Sequence, residues 1–173
     1  MLWQRGSTRS LDLRDKQDLI EEVLGGFREE IAAPRRDLAW EVRAMLRYVH
    51  EHLFSQDLNV TAVRRVCRLR NNNVSTRFRC AVGVGLRDYI EAGRMAAAKR
   101  LLRHEDLEIY LIAMAVGYEH QETFCRAFRR QVGCTPSEWR ASSGTGRTPA
   151  SGANGNGHAK GTSLAPTLAG ADG

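Results

Sequence analysis

Residues 107–140, LEIYLIAMAVGYEHQETFCRAFRRQVGCTPSEWR, constrain this chain more than any other stretch. Ile109, Ile112, Ala113 and Val116 recur at helical spacing and form one apolar face. Gly117 ends that helix, because glycine takes the left-handed backbone of a helix terminus without steric cost. Tyr118 is placed to pack across the turn. A second helix follows, with Phe124 and Phe128 inward at i and i+4. Its other face carries Gln121, Glu122, Thr123 and Arg126, with Arg129 and Arg130 behind them. Gly133 closes it, and Thr135-Pro136 opens a third helix with a cap residue and a proline at the first position. Two short helices around a glycine turn make a helix-turn-helix. Amide, hydroxyl, carboxylate and guanidinium groups on its outer face are the groups that pair with base edges in a major groove.

An altered copy lies upstream. Val60, Val63 and Val66 suggest its first helix, and Leu69 falls in its turn. Val74, Phe78 and Val82 give the second helix an apolar face, and Gly83 closes it five residues after Phe78, as Gly133 follows Phe128. From Arg64 to Arg79 there are six arginines and no acidic residue. On this face Asn72, Ser75 and Thr76 are the candidates for base contact, with Asn71–Asn73 also suited to capping a helix. Arg70, Arg77 and Arg79 are candidates for phosphate contact, as are Arg129 and Arg130 in the second copy. Arg126 pairs with guanine in the base-reading assignment; a phosphate contact or an internal ion pair is the alternative.

Between the copies, Leu86, Tyr89-Ile90, Met95, Ala97-Ala98 and Leu101-Leu102 recur near the helical period. A helix over residues 86–103 would be about 27 Å long. With its flanking turns it approaches one DNA turn, roughly 34 Å, so one chain could present two recognition helices to successive groove segments.

These residues together resemble the DNA-binding domain of the AraC/XylS family of bacterial transcription regulators. In the second copy the resemblance runs through Ile109, Ile112-Ala113, Gly117-Tyr118, Phe124, Arg126, Phe128, Gly133, Thr135-Pro136 and Trp139-Arg140. In the linker it runs through Tyr89, Arg94, Ala98, Leu101 and Leu102. The first copy departs from the pattern. Arg64 stands where a small residue is expected, Arg68 replaces the turn glycine, and Thr76 takes the place of the usual arginine. The resemblance implies an all-α fold of two helix-turn-helix motifs on a long linker helix. It also implies sequence-specific binding of double-stranded DNA, with RNA polymerase as a further partner.

Charge distribution agrees. The chain carries net charge +6, and residues 38–140 hold 17 basic and 11 acidic residues, so the excess lies in the DNA-binding region. The organisation expected is an N-terminal helical extension over 1–37, a DNA-binding domain over 38–141 and a disordered tail over 142–173. From Ala141 onward, 25 of 33 residues are Gly, Ala, Ser, Thr or Pro. In the extension, Leu11, Leu13, Leu19-Ile20, Val23-Leu24 and Phe27 form a partly amphipathic pattern interrupted by Gly25-Gly26. It is either a short helix packed on the domain or a partner-binding helix. The segment is too short for a ligand-binding barrel, so no small-molecule effector pocket is expected.

No cofactor, metal site or catalytic set is expected. Cys67, Cys80, Cys125 and Cys134 form no CxxC pair, and no histidine stands beside them at zinc-ligand spacing. No apolar run reaches membrane-spanning length and no secretory signal pattern is present, so the cytoplasm is the expected compartment. Two other classes compete with sequence-specific regulation. One is an adaptor that contacts polymerase or another regulator with little DNA reading. The other is an RNA-binding domain, disfavoured by the lack of an exposed aromatic stacking platform.

Overall fold

The structure is a computed structural model, and it describes residues 11–32, 38–67 and 74–144. Among the described residues there are eight helices and no strand. They are α1 (Leu13–Ile31), α2 (Trp40–His52), α3 (Val60–Val66), α4 (Val74–Val82), α5 (Leu86–Leu101), α6 (Ile109–Ala115), α7 (Gln121–Val132) and α8 (Pro136–Gly144). The expected all-α class holds. The expected tail falls almost wholly on residues 145–173, outside the described residues. Helix α8 runs to Gly144, past the boundary expected at 141.

Of the two expected alternatives, α1 is the helix packed on the domain, and the glycine pair does not interrupt it. Asp12 and Asp15 cap it reciprocally, Asp15 N–H donating to Asp12 Oδ1 at 2.9 Å and Asp12 N–H to Asp15 Oδ2 at 3.3 Å. The helix then passes through Gly25-Gly26 without a break. Each glycine costs about 1 kcal/mol in a helix interior. Burial outweighs that: Leu24, Phe27 and Ile31 are buried in the same core as the rest of the protein. Phe27 meets Phe54 at 6.1 Å between ring centroids, and the Arg100 guanidinium lies 4.8 Å over the Phe27 ring. Lys16 pairs with Glu108 at 2.6 Å and Arg100 with Glu30 at 2.6 Å. The segment read as an extension is thus an integral layer of the domain, packed chiefly on α5 and also on α2.

Helix α5 is the centre of the fold. Leu86, Ile90, Met95, Ala97, Ala98 and Leu101 are buried along it, and it touches α1, α4, α6 and α7. It is 16 residues long, ending at Leu101 rather than 103, because Leu102 caps it. Gly93 allows a close approach there: a Cβ would stand 3.2 Å from the end of the Leu53 side chain, which would have to shift slightly.

Candidate nucleic-acid interface

The second motif is built as its residue types dictate. Helix α6 buries Ile112 and Ala113, and its cap residue Val116 is also buried. Gly117 has φ +89°, and the helix ends in a full Schellman motif. Gly117 N–H donates to Met114 O and Tyr118 N–H to Ala113 O, both at 3.0 Å. The Tyr118 ring packs edge-on to Phe124 at 5.6 Å, and Phe124 meets Phe128 at 5.7 Å. Burial of Phe124, Ala127 and Phe128 turns the other side of α7 outward. Gln121, Glu122, Thr123 and Arg126 are all exposed on it, and so are Arg129 and Arg130. Gly133, φ +90°, closes α7, and α8 follows behind a capping box. In that box Thr135 N–H donates to Glu138 Oε2 at 2.7 Å and Glu138 N–H to Thr135 Oγ1 at 3.2 Å. The Thr135 backbone N–H, and its hydroxyl after it, hold the Glu138 carboxyl below the ordinary glutamate range.

A buried arginine ties this motif to the rest. Arg94 donates from Nε to Leu53 O at 2.9 Å and from Nη2 to Ser55 O at 2.6 Å. Its guanidinium lies 5.6 Å over the Tyr118 ring and against Gly117. Burial lowers the proton affinity of Arg94, while Tyr118 and Glu91 oppose that shift. Burial also raises the pKa of the Tyr118 hydroxyl, and Glu91 raises it further.

The first motif is anchored differently. Its turn, residues 68–73, lies outside the described residues, and with it Arg70 and Asn72. Val60, Val63 and Val66 lie on α3 as expected; Val63 is fully buried and Val66 is 49% exposed. Phe78 is fully buried and meets Tyr89 edge-on at 5.6 Å. Tyr89 Oη is 2.8 Å from His50 Nε2, so α4 rests on α5 and, through it, on α2. Ser75, Thr76, Arg77 and Arg79 are exposed on α4, which Gly83 closes at φ +86°.

The candidate phosphate arginines divide into two sets. Arg77 donates to Glu41 Oε1 at 3.0 Å, and Arg130 is paired with Glu91. Arg79, Arg126 and Arg129 form no ion pair with a described residue. Sequence reading did not find Glu41 or Glu91, since 36 and 39 residues separate them from their partners. Burial raises the pKa of the Cys67, Cys125 and Cys134 thiols, which favours the protonated form. Among the described residues no cluster of three or more His, Cys, Asp or Glu could hold a metal ion. No described helix is long and apolar enough to cross a membrane.

A helix-turn-helix domain family model matches residues 65–142. Over 99 residues the chain is 34% identical to the regulatory protein SoxS of Escherichia coli K12, covering 57% of this chain and 92% of SoxS. The chain belongs to the AraC/XylS family of transcription regulators. It is similar over 100 residues, at 30% identity, to the arabinose operon regulatory protein of Escherichia coli K12, covering 58% of this chain and 34% of that one. Among solved structures it resembles the C-terminal domain of AraT, a response regulator from Geobacillus stearothermophilus. There the TM-score is 0.59 at 26% identity, over 72% of this chain and 98% of that one. As a member of the family, the chain is a sequence-specific DNA-binding transcription regulator, and DNA is its partner.

Proposed function

We propose that α7 and α4 are two recognition helices with which this family member reads successive major-groove segments of one duplex. Gln121, Glu122, Thr123 and Arg126 read bases from α7, and Asn72, Ser75 and Thr76 read them from the first motif. Arg70, Arg79 and Arg129 contact phosphate. The observation that carries this reading is the outer face of α7. Four side chains able to pair with base edges stand exposed on a helix whose opposite face, Phe124, Ala127 and Phe128, is buried. Among the described residues Arg126 forms no ion pair, which favours its role at a base edge over the alternative of an internal partner.

The DNA-binding unit proposed is residues 38–141 with α1 as its covering helix. RNA polymerase is proposed as the second partner, and the cytoplasm as the compartment. Selection of bound sequences from a random duplex library tests the reading, and a bipartite consensus with half-sites roughly 10 base pairs apart is expected. On the selected site, Arg126→Ala is expected to lose about 1–3 kcal/mol at one base position and to relax the preference there. A loss equal for every base at that position removes Arg126 from base reading. Footprints of Ser75→Ala/Thr76→Ala should lose protection at one half-site only.

A further inference from the structure

Glu91 stands in the first half of α5 with its carboxylate turned onto the far end of α7. One oxygen accepts from Arg130 Nη2, and the other accepts from Gln131 Nε2 at 3.3 Å. The Glu91 side chain is only 16% exposed, whereas that of Arg130 is 61% exposed. The carboxylate is therefore fixed by its surroundings and the guanidinium is drawn to it. Arg129, the preceding residue and also exposed, forms no ion pair with a described residue, although its charge helps lower the Glu138 carboxyl. Three residues further along α5, Arg94 grips the turn before α7 and the end of α2. Glu91 and Arg94 thus hold the second motif at both ends, one by its recognition helix and one by its turn.

An arginine already satisfied by a carboxylate releases no counterions from DNA unless the pair breaks. A pair with two donors on one largely buried carboxylate resists that exchange better than an exposed pair. We infer that Glu91 is a specificity-determining residue: it withholds Arg130 from the DNA backbone and, with Gln131, fixes the seating of α7. Binding energy is thereby concentrated on the base-reading end of the helix rather than spread over sequence-blind phosphate contacts. This rests on the proposed assignment of α7 as a recognition helix.

The test is fluorescence anisotropy on the full chain, with the library-selected duplex and a scrambled duplex, across a range of salt. The variants are Glu91→Gln, Arg130→Ala and the double variant. Arg130→Ala alone is expected to leave the salt dependence at its wild-type slope. Glu91→Gln frees Arg130, so the log–log slope on scrambled DNA steepens by about 0.9. That slope corresponds to roughly fivefold tighter scrambled binding at 0.15 M salt relative to a 1 M reference. Because a freed Arg130 meets phosphate on either duplex, the ratio of specific to non-specific affinity falls only through the loosened seating of α7, and the double variant returns the slope to wild type. A Glu91→Gln protein with unchanged slope and ratio overturns the inference. So does an Arg130→Ala protein whose slope is shallower by one phosphate, a readout that stands even if the Glu91 variant folds poorly. A wild type that prefers no sequence overturns the assignment of α7 itself, which the first measurement distinguishes from a failure of Glu91 alone.

Discussion

Three glycines with nearly equal φ separate backbone strain from close packing. Gly83, Gly117 and Gly133 have φ of +86°, +89° and +90°. A Cβ at Gly83 or Gly133 would meet nothing within 4 Å. At Gly117 it would stand 2.9 Å from Phe54 O and 3.1 Å from Arg94 Cζ and Nη2. Alanine at any of the three carries the left-handed penalty of about 1–2 kcal/mol. Loss of glycine's freedom in the unfolded chain offsets that by about 0.4–1 kcal/mol. Gly83→Ala and Gly133→Ala should therefore each cost about 1 kcal/mol. In Gly117→Ala the methyl also strikes a backbone oxygen that cannot step aside. Arg94 must move too, and its bonds to Leu53 O and Ser55 O hold it in place. Weakening one such charged hydrogen bond costs about 1.5–3 kcal/mol, so the total for Gly117→Ala is about 2.5–4 kcal/mol. Urea unfolding followed by circular dichroism gives all three values. Equal midpoints for Gly117→Ala and Gly133→Ala would refute the packing of Arg94 against the turn as the reason for this glycine.

The place of α1 in the core predicts that Phe27→Ala destabilises the whole domain by about 3–5 kcal/mol. A loss under about 1 kcal/mol in the same urea assay would mean that α1 is only loosely attached. The acid dependence of stability should carry two carboxyls. Glu138 is held down by the Thr135 backbone N–H and hydroxyl, and Glu108 by its bond to Lys16. A carboxyl depressed in the folded state binds fewer protons there than in the unfolded chain. Its contribution is fully present above the ordinary value of 4.5 and is lost as pH falls through the folded value. Melting temperatures between neutral pH and pH 3 should fall less steeply for Glu138→Gln and Lys16→Met than for wild type. Curves parallel to wild type would contradict this.

The second motif was legible because each of its special positions is written in a local residue type. Gly117 and Gly133 mark the two left-handed ends, Thr135-Pro136 opens α8, and Phe124 and Phe128 mark the inner face of α7. The first motif was less so. Stepping by three along Val60, Val63 and Val66 drifts by about 60° each time around a helix, and this carries Val66 out to solvent. Gly25-Gly26 misled for a different reason. Their helix-breaking tendency is local, whereas burial of Leu24, Phe27 and Ile31 depends on α2 and α5 being present. The pairs Glu41–Arg77 and Glu91–Arg130 join helices distant in sequence, and nothing in residue order sets their partners.

The two motifs differ in what holds them to α5, and this difference has a structural consequence. Tyr89 carries the first motif through Phe78 by an aromatic contact, and its hydroxyl lies 2.8 Å from His50 Nε2. Glu91, two residues on, carries the second through Arg130 and Gln131. Two residues turn about 200° around a helix, so α5 presents nearly opposite sides to the two recognition helices. Their relative orientation is then set by the phase of one short rigid element rather than by a flexible linker. An aromatic contact tolerates a range of ring angles, since edge-on and offset geometries are close in energy. A carboxylate with two directed donors, and a guanidinium on two carbonyls, tolerate far less. The second motif is therefore fixed in angle against α5 by directed bonds, while the first meets α5 by an aromatic contact and α2 by the Arg77–Glu41 pair.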